Sequence, residues 1–573
     1  MKVSVRHMSL RVWSLSTLAL LLLPTSAIGQ QAATGAINSG QIERRIDETV
    51  PDREGRRDTR EKSPEASPAT KAPAEPAAPG ILFTLAAVSI SGATVFSPTD
   101  LAPLYEEFLA TRITDTEAAE IARRITQKYV EAGYILSQAI VPPQQVVTGV
   151  LQLRVIEGYV ADVNISGIEP DRYMVAGFTQ NIMAARPLTL SILERNILLI
   201  GDSAGMSVER SQFDNGNGNG AYVLNLDLSH AIVDATAYTD SRGTPAVGRS
   251  QLWLSSGVNQ LLGIGDRIQA GYFTVPMQPK ELQYGELQYS QPIGSNGFQA
   301  RGSVSYSVVD AGSNQALTDT ESETLRGSLQ VTYPIVRARL SNLWLNGIFD
   351  YRNSTEDQLG ELNFDDRMRV VRIRTNLTIR DDWEGTNWVI GTLSRGLDVF
   401  GASSAGSASL SRNDGIPDFL KFYLDIGRVQ DIGSKYAIEI SAIGQKSRDP
   451  LLSSEEIGLG GSRFGRAYDF AEITGDDGLS GSIEARRLFH TGDPFVDDIQ
   501  LFGFFDIGAV WNRNPASAEF RRESLASTGV GFRAMLRSSI NFSAVIAKPL
   551  TRPVFTSGNN NSLRAFFSLS ADF

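Results

Sequence analysis

The residues with the most chemical content are an arginine in a long glycine-rich segment and an aspartate on a later strand. Leu451–Asp477 contains GLGGSRFGRAYDFAEITGDD, with Phe464-Gly465-Arg466-Ala467-Tyr468 at its centre. The later run Ile499–Trp511 reads IQLFGFFDIGAVW. Read as an extended strand, it puts Ile499, Leu501, Phe505, Ile507 and Trp511 on one face and Asp506, with Gly508, on the other. An arginine and a carboxylate can pair in bidentate fashion, which fixes geometry rather than turning over a substrate. Buried, such a pair acts more as a positional device than as a source of stability. The residues alone leave two placements open for Arg466: folded inward against Asp506, or facing solvent at the rim of the structure the strands build.

Catalysis has little material to work with. The chain holds three histidines (His7, His230, His490) and no cysteine. That gives no histidine-rich or thiolate metal site and hardly a Ser-His-Asp constellation, so no catalytic residue, metal or cofactor is expected. A net charge of −11 argues against a nucleic-acid partner. The NGNGNG run at 215–220 joins two strands and lacks a Walker lysine, so it reads as a hairpin turn and not a phosphate loop.

The elements that must position the pair begin with a targeting signal. Lys2, Arg6 and Arg11 precede the apolar Val12–Leu23, and Ala27-Ile28-Gly29 offers a cleavage site, so residues 1–29 read as a signal peptide for export. The apolar run is shorter than the ~20 residues of a spanning helix, and no later run is long enough, so membrane embedding would have to use strands. Ser39–Val50, within a 30–50 segment, can form a short helix with Ser39 as N-cap and Ile42 and Ile46 on one stripe, a stripe so narrow that composition alone favours a frayed, solvated helix. Residues 51–80 are rich in Pro, Ala, Glu and Lys and form a linker, with a reach of roughly 90 Å at about 3.1 Å per residue.

Two small α/β units follow, each ordered β-α-α-β-β. In residues 81–159 the expected elements are a strand at Leu85–Ser91, helices near 98–110 and 114–132, and strands at Tyr134–Val141 and Val150–Glu157. Thr114 and Glu117 have capping-box spacing, and Gly133 suits a helix C-terminus. In residues 160–230 the same order reads Val160–Ser166, helices near 171–184 and 189–200, then Met206–Arg210 and Ala221–Ser229.

From 231 to 573 the pattern changes to sixteen stretches of 8–13 residues with period-two hydrophobicity and Gly/Asn/Asp/Ser turns. They begin near Val233, Leu252, Arg267, Tyr284, Phe298, Thr324, Asn342, Met368, Thr386, Phe419, Lys435, Gly478, Ile499, Leu525, Ile540 and Leu563. The last places Leu563, Ala565, Phe567, Leu569, Ala571 and Phe573 on one face, an apolar strand ending on an aromatic residue that serves as a barrel-closing signal. An even number of such strands predicts a transmembrane β-barrel of sixteen antiparallel strands in an outer membrane, with lipid around it.

This arrangement resembles the two-partner secretion transporters of the Omp85 superfamily, the ShlB/FhaC/HecB haemolysin secretion/activation family. The small units look like POTRA domains. Gly465-Arg466-Ala467-Tyr468 sits where the family's loop motif reads Val-Arg-Gly-Tyr/Phe, matching at Arg466 and Tyr468 and differing at Gly465 and Ala467. Phe504, Asp506 and Gly508 match its Phe-x-Asp-x-Gly strand motif, and LSILERNILLIGDSAGMSV is similar to its second POTRA domain. The resemblance implies an Arg466–Asp506 anchor for an inward loop and a resting plug formed by the 30–50 segment. It implies a pore that exports a large unfolded exoprotein of the adhesin or haemolysin type, recognised through an N-terminal secretion domain by periplasmic POTRA domains. The barrel-assembly machinery would be needed during biogenesis. An Omp85-type assembly factor for other outer-membrane proteins is the alternative it implies.

Overall fold

Side-chain alternation decides the architecture of the C-terminal part. In the computed structural model the described residues are Gln41, Arg45, Ile46 and 83–573, without 147, 170–173, 313–317, 516–519 and 559. The signal at 1–29 and the linker at 51–80 therefore lie outside the described residues, as does most of the 30–50 segment. From Val233 onward sixteen strands form a closed antiparallel barrel. The seventh strand, Ser341–Gln358, shows the rule: Asn342, Asn346 and Asp350 are buried toward the lumen, while Leu345 faces out. The outer wall carries Leu329, Ile440, Leu479 and Val530, each more than half exposed. The inner wall carries charge, as where Asp350 pairs with Arg326 at 2.9 Å and Arg372 at 2.8 Å. Apolar outside and polar inside is the inverse of a water-soluble sheet and fits a lipid surround.

Fifteen of the sixteen strands begin within a few residues of their expected positions. The eighth is the exception, starting at Glu361 rather than near Met368. The strands are also longer than expected in places: the sixth, seventh and eighth (Glu321–Arg337, Ser341–Gln358, Glu361–Arg380) have 17, 18 and 20 residues. Crossing the hydrocarbon takes about 9–11. Their excess length extends past the lipid, where the outward face needs no apolar alternation. ELNFDDR at 361–367 accordingly carries no strand signal of its own.

The barrel closes between its first strand, Val233–Asp240, and its sixteenth, Arg564–Asp572, through five residue pairs from Ser568↔Asp240 to Asp572↔Thr236. Phe573 extends the seam: its N–H donates to Ala235 O at 2.9 Å, and Ala235 N–H donates to Phe573 O at 3.1 Å. Its ring is exposed on the outer wall with Phe567 and Leu569.

Two α/β modules precede the barrel. In the first, Ala87–Ser91 runs parallel to Val150–Ile156, which pairs antiparallel with Gln138–Ile140. The helix Asp115–Glu131 covers this sheet through Ile121, Ala122, Ile125 and Tyr129, and its Thr114/Glu117 capping box is formed. The expected helix near 98–110 is instead one α-turn, Pro98–Leu101, followed by 3₁₀ turns at Ala102–Leu104 and Glu106–Phe108. Pro103 has no N–H with which to continue the ladder. The expected strand Tyr134–Val141 shrinks to Gln138–Ile140, because Tyr134 bonds back to Tyr129 O and Ser137 to Tyr134 O. In the second module Tyr159–Ser166 is parallel to Ala221–His230, and Met206–Asn215 is antiparallel to it, the same order as the first. Met206–Asn215 runs five residues past its expected end at Arg210, following its partner Ala221–His230 to the turn. The helices Val175–Ala184 and Leu190–Gly201 pack on this sheet.

The second module docks on the barrel end. Asp202 accepts two hydrogen bonds from Arg337, each 2.8 Å, and Arg195 donates to Pro334 O at 2.8 Å. This end is where the first strand starts, so odd-numbered strands run away from the modules and the long segment after the eleventh strand, Tyr436–Ser447, emerges at the opposite end.

Removing Phe573 takes away both hydrogen bonds at the seam terminus, each worth about 0.5–1.5 kcal/mol. A reduced fraction of heat-modifiable, folded barrel in outer-membrane preparations is the expected result, and an unchanged fraction would show that the seam does not depend on this residue.

Candidate functional site

The segment between the eleventh strand (Tyr436–Ser447) and the twelfth (Asp477–His490) does not cap the barrel from outside. It turns back as a hairpin, Ile457–Leu459 paired with Ile473–Gly475, and its tip lies inside the lumen. Almost every residue from 451 to 477 is buried or half-buried. Three glycines permit the turn: Gly460, at φ 114°, where a Cβ would meet Asp469 O at 2.1 Å, Gly461, at φ 121°, and Gly465, at φ 71°. The left-handed residue beside the arginine is thus Gly465 and not Ala467, which is fully buried outside that conformation. The alanine substitution in the motif carries no backbone strain.

The structure brings Arg466 and Asp506 together, inside the barrel. Arg466 Nη2 donates to Asp506 Oδ1 at 2.8 Å, Nε lies 3.2 and 3.1 Å from the two carboxylate oxygens, and the Arg466 backbone N–H donates to Oδ2 at 2.9 Å. Ser482 and Ser527 hydroxyls donate to the same carboxylate at 2.8 and 3.1 Å. The guanidinium also pairs with Glu484, bonds Ser482 Oγ at 2.8 Å, and lies 3.6 Å from the centroid of the Phe504 ring. Asp506 is fully buried and Arg466 is 6 % exposed. A buried ion pair gains little over apolar packing, but breaking one by removing a partner costs about 3–5 kcal/mol. The contacts join the loop tip to the barrel wall, and a pair of this kind sets geometry more than it adds stability.

The remaining motif residues surround this pair. The Tyr468 hydroxyl lies 3.1 Å from both Ala526 O and Arg552 O, which share its single proton. Ala467 O accepts from Arg564 Nη1 at 2.9 Å. Gly508 leaves room for the hairpin, since a Cβ there would come within 2.7 Å of Leu459 Cδ1. Phe573 is not part of this site, lying at the module end of the seam.

Sequence reasoning missed several anchors. Glu484 is the second carboxylate of Arg466 and also binds Arg533 and Arg486 at 2.8 and 2.7 Å. Its signal was available: Ser482 and Glu484 share the inward face of the strand just after the loop, and Ser482 pairs in register with Asp506. Arg463 forms a second clamp on Asp425 of the tenth strand (Leu420–Ile432), at 2.5 and 2.6 Å, with Trp388 Nε1 donating to the same carboxylate at 2.9 Å. At the loop base, Glu455 pairs with Arg372 and Lys421 at 2.6 and 2.8 Å, and Asp476 with Arg412 at 2.7 Å. Arg242, just after the first strand, donates to Gly461 O and Arg466 O at 3.1 and 3.2 Å. Together with Arg564, it ties the loop tip to both sides of the barrel seam.

Three residues of the 30–50 segment reach the same lumen in helical conformation. Gln41 donates to Glu456 O at 3.0 Å, Arg45 lies 3.6 Å from Asp240, and Ile46 is fully buried among Tyr238, Trp253, Phe273 and Tyr284.

Comparisons with known proteins agree with this architecture. Residues 83–158 match the ShlB-type POTRA domain, and residues 223–534 match the haemolysin secretion/activation protein ShlB/FhaC/HecB. Similar proteins include the heme/hemopexin transporter protein HuxB of Haemophilus influenzae, 20% identical over 464 residues, 79% of this chain and 80% of the relative. The outer membrane transporter CdiB of Dickeya dadantii is 23% identical over 425 residues, 71% of this chain and 72% of the relative. CdiB from Escherichia coli shares the fold with a TM-score of 0.74 at 19% identity, covering 96% of this chain and 100% of that structure. CdiB from Acinetobacter baumannii does so at 0.64 and 14%, with the same coverage. Fold and family matches define an outer-membrane β-barrel transporter with its POTRA region in the periplasm. The second family match spans more than half of the 573 residues, and the chain belongs to the ShlB/FhaC/HecB haemolysin secretion/activation family of two-partner secretion transporters.

Replacing Asp506 by Ala leaves Arg466 with Glu484 and Ser482 but without its bidentate partner. Hydrogen–deuterium exchange of the detergent-solubilised protein is expected to rise at least tenfold at 460–470, as an anchor worth about 3–5 kcal/mol is lost. Exchange within the strands is expected to stay the same. Equal protection of the loop tip in both proteins would show that the pair does not hold it.

Proposed function

We propose that the protein exports a large, unfolded exoprotein of the adhesin or haemolysin type from periplasm to cell surface, with the barrel as its conduit. The observation that carries this is the lumen beneath the inward loop. It contains a cavity of about 670 Å³ with a mixed lining, polar at Asn376, Gln500 and Ser568, charged at Arg380, Glu439 and Arg486, and apolar at Trp388 and Leu488, with Arg463 of the loop among the lining residues. An unfolded chain exposes backbone N–H and C=O groups together with apolar side chains, and a wall of mixed polarity can meet both without holding any one sequence. Such export needs positioning and a route, not a reaction, and folding of the client at the surface supplies the direction.

The two modules, at 81–159 and 160–230, receive the client's N-terminal secretion domain. Among the described residues each three-stranded sheet has an unpaired edge on its outer strands, Ala87–Ser91 and Gln138–Ile140 in the first, Tyr159–Ser166 and Met206–Asn215 in the second. An extended client can add to such an edge through its main chain. The 30–50 segment is the resting plug of the barrel at 231–573, and the linker at 51–80 lets it leave without detaching. Burying one isoleucine side chain contributes about 1.5–3 kcal/mol, so the Ile46 pocket holds the plug yet permits its release. Arg466 and Asp506 keep the loop in register while the plug moves. Lipid of the outer membrane and the barrel-assembly machinery during biogenesis are the other partners.

Comparing the secreted proteins of strains with and without this gene tests the reading. One very large protein is expected to disappear from the medium or cell surface, and its export is expected to fall at least tenfold with Asp506→Ala. An unchanged secretome would refute the export role. In planar bilayers, removal of residues 30–50 is expected to raise single-channel conductance, and equal conductance would mean that the segment does not obstruct the pore.

A further inference from the structure

Basic side chains gather on one side of the outer rim, at the end opposite the modules. The register shows which ones face lipid. Leu393 pairs with Phe422, and Phe422 with Lys446. Further round the wall at this level, Asp477 pairs with Trp511, and Trp511 with Arg522. One rung nearer the surface, Arg395 pairs with Leu420, and the Arg448 N–H donates to Leu420 O. Leu393 and Phe422 are 47% and 45% exposed on the outer wall. These rungs therefore form the upper edge of the apolar band, and Arg395, Lys446, Arg448 and Arg522 point outward from it.

Few of these charges are neutralised. Arg395 and Arg522 are exposed and form no ion pair among the described residues, and Arg522 lies 5.9 Å from the Trp511 ring. Arg448, 72% exposed, has Asp449 only at 3.9 Å. Lys446, 71% exposed, meets Asp477 at 2.6 Å but shares it with Arg513. Composition does not explain the cluster, since the chain carries a net charge of −11. On the fifth strand (Phe298–Asp310) and the sixth the same rim is acidic: exposed Asp310 pairs with Glu321, and Glu323 lies two residues further along.

We propose that this rim binds phosphate-bearing headgroups of outer-leaflet lipid, with Arg395 and Arg448 at its centre and the acyl chains against Leu393 and Phe422. The occupant is set by position and charge. The rim continues directly from the lipid-facing wall, Trp511 is the interfacial aromatic of such a boundary, and guanidinium groups match phosphate geometry. Cations at a membrane surface attract anionic lipid by roughly fivefold each. The binding fixes which side of the barrel faces anionic lipid, so it orients the transporter in its leaflet.

The test uses the full chain in phosphatidylcholine nanodiscs doped with bis-phosphorylated lipid A. Lipid A retained after transfer to detergent is counted by native mass spectrometry. The triple variant Arg395→Gln, Arg448→Gln, Arg522→Gln is expected to retain at least about tenfold less than the parent. The variant Arg112→Gln, Arg154→Gln, Arg210→Gln makes the same charge change on the modules and is expected to retain as much as the parent. Heat-modifiable migration checks that both are folded. Dephosphorylated lipid A is expected to be retained as poorly as lipid A is by the rim variant. Equal retention by the rim variant, equal retention of dephosphorylated lipid, or full displacement by inorganic phosphate would each overturn the proposal.

Discussion

At hydrocarbon depth no backbone N–H or C=O can go unpaired, and in this chain that requirement falls on a sheet. A sheet meets it only by closing, which the sixteenth strand does against the first through five residue pairs. Closure then sorts the side chains. Every outward position must suit lipid, so Leu329, Ile440 and Val530 stand exposed, while Asn346 and Asp350 are buried. The two sides of each strand are thus committed before any functional group is placed.

The same closure creates a lumen whose charges must find partners within it. Asp350, Asp425, Glu484 and Asp506 project inward from the wall, and the loop hairpin supplies Arg463 and Arg466 to the last three of them. Glu455 at the loop base reverses the roles, accepting from Arg372 and Lys421 of the wall. Each pair is costly to break and gives little net stability when intact, so the network bears on where the loop sits more than on whether the barrel holds. Its reach is wide, since Arg242 and Arg564 stand on opposite sides of the seam and both hold the loop tip.

Much of this was legible in the residues because barrel strands announce themselves by period two. Strand number and most strand starts came from alternation and turn residues. The signal failed where strands leave the lipid: ELNFDDR extends the eighth strand by hydrogen bonding to its neighbour, without apolar residues to mark it. It failed again at Pro103, where an apparent helical run is broken into 3₁₀ turns. In the candidate site, Arg466 and Asp506 stood out as a cation in a glycine-rich loop and a carboxylate on a strand. Glu484, Arg463 and Asp425 did not, because inward charges are common in a barrel and their pairing depends on register between strands.

What the sequence determined alone is the set of faces: which side chains of each strand meet lipid, which meet the lumen, and where the chain can turn. Alternation is a local property and needs no partner to be read. Only the tertiary structure decided that the long loop enters the barrel, that Asp506 and Glu484 share one arginine, and that Ile46 occupies a pocket formed by the first four strands. Those outcomes join residues tens to hundreds of positions apart, and the distances between them are set by the radius and register of the closed cylinder, which no single segment encodes.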